Sequence, residues 1–371
     1  RIQNKSLKKN INIGEEIIFT CDKKNIGSKI ILNDKNIYKK VKINSLVFAD
    51  DGNLFFKITK KVGKNIHCKV LEKGIIKSGK GIIFEKIEIK NNNISNNEKK
   101  ILAFARKIKP DFIGISYTKN KSHVIRIKKV LKDENIKIIA KIENKYGIDN
   151  LKSILEVADA LMVDRGDLSL SSSINNVTLA QKEIINLANK FAKPVIVATE
   201  LLKSMVSKSF PTKSEVSDIT NAVHDGCAAT MLSEETVVGK NPLLTIKTMN
   251  NIVNSASKYL ELEKTNYKRK EKISNTICKT AIQICKNMPI TKVIVITKTG
   301  YAARQLSIHN LKPMIYAVTN DKKTSRSFNL IKGTEGIFYN FKFLQKSTDH
   351  IIISIKNLYK QKKILINDLI L

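Results

Sequence analysis

Arginine is scarce in this chain: of 67 cationic side chains only seven are arginine and 60 are lysine. The formal net charge of +34 would otherwise point to a nucleic-acid surface. Such surfaces draw on arginine's planar fork to grip phosphates and read bases. Here the lysines are spread along all 371 residues among asparagine and isoleucine, the mixture that A/T-rich codons produce. Composition therefore argues against nucleic acid as the partner. Long apolar runs are lacking too, which excludes a transmembrane helix at the sequence level. No signal peptide opens the sequence. The first residue is Arg1 where a start methionine would stand, so preceding residues are expected to be missing.

Cysteines are few and unpaired in pattern. Cys21, Cys68, Cys227, Cys278 and Cys285 form no CxxC motif and no disulfide framework. Cys278 and Cys285, seven apart on an expected helix, read as core packing. A reducing cytoplasm is the expected setting. The five histidines show no ligand spacing, which argues against a zinc site.

What is present is a change of rhythm along the chain. Residues 1–89 read as a small all-β unit, with strands expected at 15–21, 29–33, 46–49, 54–58, 66–71 and 82–89. Leu54, Phe56 and Ile58 alternate with Phe55 and Lys57, as in a half-buried strand, and Asp50-Asp51-Gly52-Asn53 supplies a turn. Residues 90–100, rich in asparagine, read as a linker. From 101 to 261, apolar runs at 112–117, 137–142, 160–163, 194–198 and 228–232 alternate with helical patterns such as 177–191 and 214–223. Strands alternating with helices call for a parallel sheet. Polar residues at the strand ends fit a (β/α)8 barrel better than an open sheet, although five strands cannot close one. Residues 262–371 read as a smaller α/β domain, with a helix at 272–287, strands at 292–297, 314–319, 336–339 and 363–367, and a helix from Tyr301. The expected division is thus 1–89, 90–261 and 262–371.

The chemistry lies at the strand ends. Lys141 and Glu143 are two residues apart on a strand, so both side chains point to one face. Together they can steady an anionic, metal-bound substrate; a surface ion pair is the plainer alternative. One βαβ unit later comes Asp167, and two carboxylates from neighbouring strands can share a hard cation such as Mg2+. Gly166 allows close backbone approach at a helix start, where N–H groups meet a carboxylate; a plain helix-capping turn is the alternative. Thr199 ends the following strand and brings a hydroxyl to the same mouth, or serves only as a strand former.

These motifs, in this order, resemble the pyruvate kinase family. KIEN at 141–144, MVDRGDL at 162–168, LAQK at 179–182, KPVIVATELLKSM at 193–205, PTKSEVSDITNAVHDG at 211–226 and MLSEET at 231–236 carry the likeness. VIVITKTGYAARQLS at 293–307, YAVTND at 316–321, ADDG at 49–52 and KGI at 80–82 extend it. The resemblance implies a partial (β/α)8 barrel with an inserted β-rich lid and a C-terminal α/β domain. It implies transfer of the phosphoryl group of phosphoenolpyruvate to ADP, giving pyruvate and ATP. Lys141 would neutralise the phosphoryl in flight, and Glu143 and Asp167 would hold Mg2+. Gly166 and Asp167 would contact substrate, Thr199 would sit by the enolate carbon, and Arg1 and Lys80 would face ATP. The family also implies K+ and a homotetramer.

Departures accompany the likeness. The family's first three barrel strands, with K+ and substrate ligands, are not found in this chain. Asp164 stands in place of a small residue, Ser169 in place of a glycine, Ser171–Ser173 in place of Glu-Ile-Pro, and Glu234 in place of the glycine of SGET. No effector loop is recognisable near the C-terminal end. Two competing expectations are a non-catalytic remnant acting as a binding protein and a basic RNA-binding protein.

Overall fold

The computed structural model describes residues 2–4, 6–22, 28–50, 52–85, 87, 94–172, 174–259, 273–343 and 348–371. It falls into two compact units, Arg1–Asn93 with Gly166–Val177, and Ile94–Arg165 with Thr178–Leu371.

The first unit is built from β1 (Lys8–Ile11), β2 (Glu16–Thr20), β3 (Ile30–Ile31), β4 (Leu46–Ala49), β5 (Leu54–Val62), β6 (Asn65–Val70), β7 (Gly74–Lys77) and β8 (Ile82–Phe84). Six of these form one sheet in the order β3-β2-β6-β5-β4-β8, and β1 pairs with β7. The alternation read in β5 holds, with Leu54, Phe56 and Ile58 buried and Lys57 exposed. Phe56 meets Phe19 of β2 edge to face, ring centroids 5.5 Å apart, in a core that also takes Val47, Ile66 and Val70. At the β5–β6 hairpin Val62 pairs with Asn65, leaving a two-residue turn in which Gly63 takes φ 55°. The strand expected over 82–89 ends at Phe84; residues 86, 88 and 89 lie outside the described residues.

In the second unit, β9 (Phe112–Ile115), β10 (Lys137–Ile142), β11 (Ala160–Asp164), β12 (Val195–Ala198) and β13 (Ala229–Met231) lie side by side in chain order. Every neighbouring pair is parallel. Among the described residues, these five sequential parallel strands with intervening helices follow the pattern of a (β/α)8 barrel. β11 is buried along its whole length, which is why its sequence reads as an unbroken apolar run up to Asp164. The helices between strands bury one stripe each, for example Val124, Ile127 and Leu131 on Lys121–Leu131.

Beyond them β14 (Lys292–Ile296), β15 (Met314–Thr319) and β16 (Thr334–Phe338) form a three-stranded parallel sheet. Helices Ile273–Asn287, Tyr301–Ser307 and Lys322–Phe328 accompany it. Cys278 is buried in its core and Cys285 packs against that core, as the seven-residue spacing suggested. Among the described residues no helix is long and apolar enough to cross a membrane.

Two local expectations fail. Residues 96–100, read as linker, open the helix Asn96–Ile108, started by a capping box in which Ser95 and Glu98 exchange side-chain and backbone hydrogen bonds. Residues 363–367, read as a strand, form turns, and the sheet contact falls instead at an isolated bridge between Lys292 and Ile370.

Candidate active site at the strand ends

The C-terminal ends of β10, β11 and β12 bring Lys141, Glu143, Asp164 and Thr199 together. Register sets this up: Lys141 pairs with Met162 and Ile142 with Val163, while Asp164 pairs with Ala198, the residue before Thr199. Lys141 Nζ lies 2.6 Å from Glu143 Oε1 and 2.9 Å from Asp164 Oδ2. Thr199 Oγ1 lies 2.6 Å from the Ala198 carbonyl oxygen and 3.3 Å from the other oxygen of Asp164. Glu143 Oε2 accepts from the backbone N–H of Tyr117, just past β9. Tyr117 itself takes φ 51°. The next residue fixes this turn, Thr118 N–H donating to the Lys141 carbonyl at 3.2 Å.

Burial governs the electrostatics. Glu143 is 1% exposed. Loss of solvent pushes its carboxyl up to about 7, against the opposing pull of Lys141 and the Tyr117 N–H. For Lys141, burial works against the charge, yet its hydrogen bonds to Glu143 and Asp164 outweigh that and hold the ammonium above its ordinary range. The lysine is therefore a fixed cation at neutral pH. The plain surface ion pair considered for Lys141 and Glu143 does not describe this geometry, because one partner is fully enclosed.

Thr199 is held by its backbone as well as its hydroxyl. It has φ 68° and Glu200 has φ 55°, two consecutive left-handed residues without glycine. For a β-branched residue that conformation is costly, and structure around it must enforce it. Arg165 does so. Its Nε and Nη2 donate to the Thr199 carbonyl at 3.2 and 2.8 Å, and its Nη1 pairs with Asp218 on the helix Lys213–His224. Nearby, the carboxylate of buried Glu235 accepts from Leu202 N–H at 3.2 Å and Ser233 N–H at 2.8 Å, tying the segment after β12 to the one after β13.

Gly166 and Asp167 open the helix Arg165–Ser172, directly after β11, with Asp167 in its first turn. Lys80 lies in the first unit, its Nζ 2.5 Å from Asp50 Oδ1. Arg1 lies outside the described residues. Sequence reading did not anticipate that Asp164 would pair with Lys141, nor the roles of Arg165, Asp218 and Glu235. A signal for Asp164 was present: a charged residue closing an otherwise apolar buried strand requires a partner at that strand end.

Carboxylates and a hydroxyl, with neither thiolate nor imidazole, form a donor set for a hard divalent cation. Glu143 and Asp164 offer carboxylate oxygens within 4.8 Å of each other. A fixed ammonium beside them suits an anionic group that reacts while bound to that cation.

Comparison with known proteins gives a consistent result. Residues 1–246 match the family model described as pyruvate kinase, barrel domain, and residues 275–370 match pyruvate kinase, alpha/beta domain. The pyruvate kinase of Clostridium perfringens (strain 13 / Type A) is 32% identical over 368 residues, 95% of this chain and 76% of the relative. That of Clostridium acetobutylicum is 33% identical over 348 residues, covering 91% of this chain and 73% of the relative. That of Bacillus licheniformis is 33% identical over 328 residues, 86% of this chain and 55% of the relative.

Proposed function

Because the chain belongs to the pyruvate kinase family, we propose that it transfers the phosphoryl group of phosphoenolpyruvate to ADP, giving pyruvate and ATP. The observation that carries this reading is the Lys141 ammonium, held 2.6 Å from Glu143 and 2.9 Å from Asp164 at adjacent strand ends. Phosphoryl transfer asks a protein for positioning and charge neutralisation more than for covalent chemistry.

In this reading Lys141 meets the phosphoryl oxygens and balances their charge during transfer. Glu143 and Asp167 hold Mg2+, and the donor chemistry at these strand ends fits that ion. When bound, Mg2+ would supply positive charge to the anionic substrate. Gly166 and Asp167 contact the substrate at the start of their helix, Gly166 permitting close backbone approach. Thr199 lies by the enolate carbon, its hydroxyl beside Asp164 and its carbonyl held by Arg165. Arg1 and Lys80 belong to the nucleotide side of the proposal. The division into a lid (1–89), barrel portion (90–261) and C-terminal domain (262–371), a homotetrameric assembly and a cytoplasmic setting are parts of the same proposal. K+ is a family expectation.

The test is a comparison of the chain with its Lys141→Met variant in a coupled pyruvate assay, with and without chelation of Mg2+. Turnover that needs both Lys141 and Mg2+ supports the reading. Equal rates in the two proteins would remove Lys141 from it.

A further inference from the structure

Asp164 stands between two residues assigned to the reaction. It closes β11, the strand between β10 and β12, and is buried. One of its oxygens lies 2.9 Å from Lys141 Nζ, and the other lies 3.3 Å from Thr199 Oγ1, which it shares with the Ala198 carbonyl at 2.6 Å. A small side chain at this position could make neither contact.

The charge balance follows. Asp164 adds a second carboxylate beside the Lys141 ammonium, and the adjoining Arg165 is matched by Asp218. Without Asp164 the ammonium would have Glu143 alone as its carboxylate partner at this distance. An added carboxylate favours a cation and disfavours an anion, the more strongly where solvent is excluded. Two of the three ammonium donors of Lys141 are directed to the carboxylates, leaving one for an incoming oxygen.

We propose that Asp164 is a positioning residue that ties Lys141 to Thr199 and sets the charge of the cluster, so that the divalent cation binds before phosphoenolpyruvate. The inference rests on the reading of these strand ends as the cation and substrate site. Asp164 acts through Lys141 and through the charge presented to the cation, and no bond to it is made or broken. The anionic substrate then meets carboxylates whose charge the cation has offset.

The experiment titrates Mn2+ alone into the full chain, followed by electron paramagnetic resonance, for the wild type, Asp164→Asn and Asp164→Ala. Thermal unfolding of each protein is recorded alongside. Asparagine keeps an acceptor for Thr199 and discards the charge. A packing role would be rescued by asparagine; a charge-setting role would not. Both variants are expected to bind Mn2+ roughly tenfold or more weakly, from the loss of one negative charge a few ångströms away. Calorimetry should find phosphoenolpyruvate binding to the wild type only when Mn2+ is present. Mn2+ affinity in Asp164→Asn within twofold of wild type would overturn the proposal, as would equal phosphoenolpyruvate affinity with and without Mn2+. A wild type that binds Mn2+ in this Asp164-dependent way but turns over no phosphoenolpyruvate supports the role of Asp164 while removing the proposed reaction.

Discussion

The guanidinium of Arg165 clasps the carbonyl oxygen of Thr199, with Nε at 3.2 Å and Nη2 at 2.8 Å. The clasp is set one residue beyond Asp164 and holds Thr199 at φ 68°. It explains how a β-branched residue keeps a left-handed conformation at a strand end. Arg165→Lys cannot reproduce the fork, and it is expected to cost about 2 kcal/mol, since Asp218 and the carbonyl lose a bidentate partner while Asp218 stays partly exposed. Urea unfolding measures this. A variant as stable as the wild type would show that Thr199 is held by other contacts.

Lys141→Met removes the cation of the strand-end cluster but keeps its length. Turnover is expected to fall at least about a thousandfold, because charge stabilisation of the transferring group is lost. The same change leaves two carboxylates without their ammonium, so Mn2+ should bind more tightly. Circular dichroism checks that the fold is retained, and paramagnetic resonance reads the metal. Weaker Mn2+ binding in a folded variant would contradict the charge assignment.

Burial raises Glu143 to about 7 in the metal-free protein, and the sign of its pH effect follows. A carboxyl whose folded value lies above its unfolded one binds more protons in the folded state between the two. Its contribution to stability therefore improves as pH falls from about 7 toward 4.5 and worsens as pH rises through that window. The difference in unfolding free energy between the wild type and Glu143→Gln should change across that window without metal and flatten in saturating Mg2+. A flat difference in metal-free buffer would be inconsistent with an enclosed, desolvated Glu143.

Much of this site could be read from the sequence, because strand geometry is simple. A two-residue spacing puts Lys141 and Glu143 on one face, and apolar runs ending in polar residues marked the ends of β10, β11 and β12. What could not be read depended on partners distant in sequence. Nothing local to Asp164 shows that it will meet Lys141, 23 positions earlier, and Glu235 satisfies the backbone of Leu202 from 33 positions away. Helix Asn96–Ile108 was hidden by its asparagine-rich approach, although Ser95 and Glu98 carried the capping signal. The strand expected at 363–367 failed because same-face burial is absent: Ile364 is buried, while Ile366, two residues on, is 84% exposed. The β1–β7 pair escaped notice because its strands expose lysines, Lys8 and Lys77 being register partners.

Glu215 caps the helix that carries Asp218. Its carboxylate accepts from Ser204 N–H at 2.7 Å, Ser204 Oγ at 2.6 Å and Thr212 N–H at 2.7 Å. Partial burial opposes the charge, but these hydrogen bonds outweigh it and lower the carboxyl below its ordinary value. Its stabilisation is thus complete above the unfolded value and is lost as pH falls through the lower folded one. Glu215→Ala should cost about 1–2 kcal/mol at neutral pH and less in acid, read by urea unfolding at both pH values. An equal cost at both would mean the charge is not what the cap uses.

The most direct test is pyruvate formation from phosphoenolpyruvate by the purified chain, measured with ADP and Mg2+ together and with each withheld. The account predicts pyruvate and ATP in equal amounts only when both are present. Pyruvate formed without ADP, or no pyruvate from a folded chain with both supplied, would contradict it.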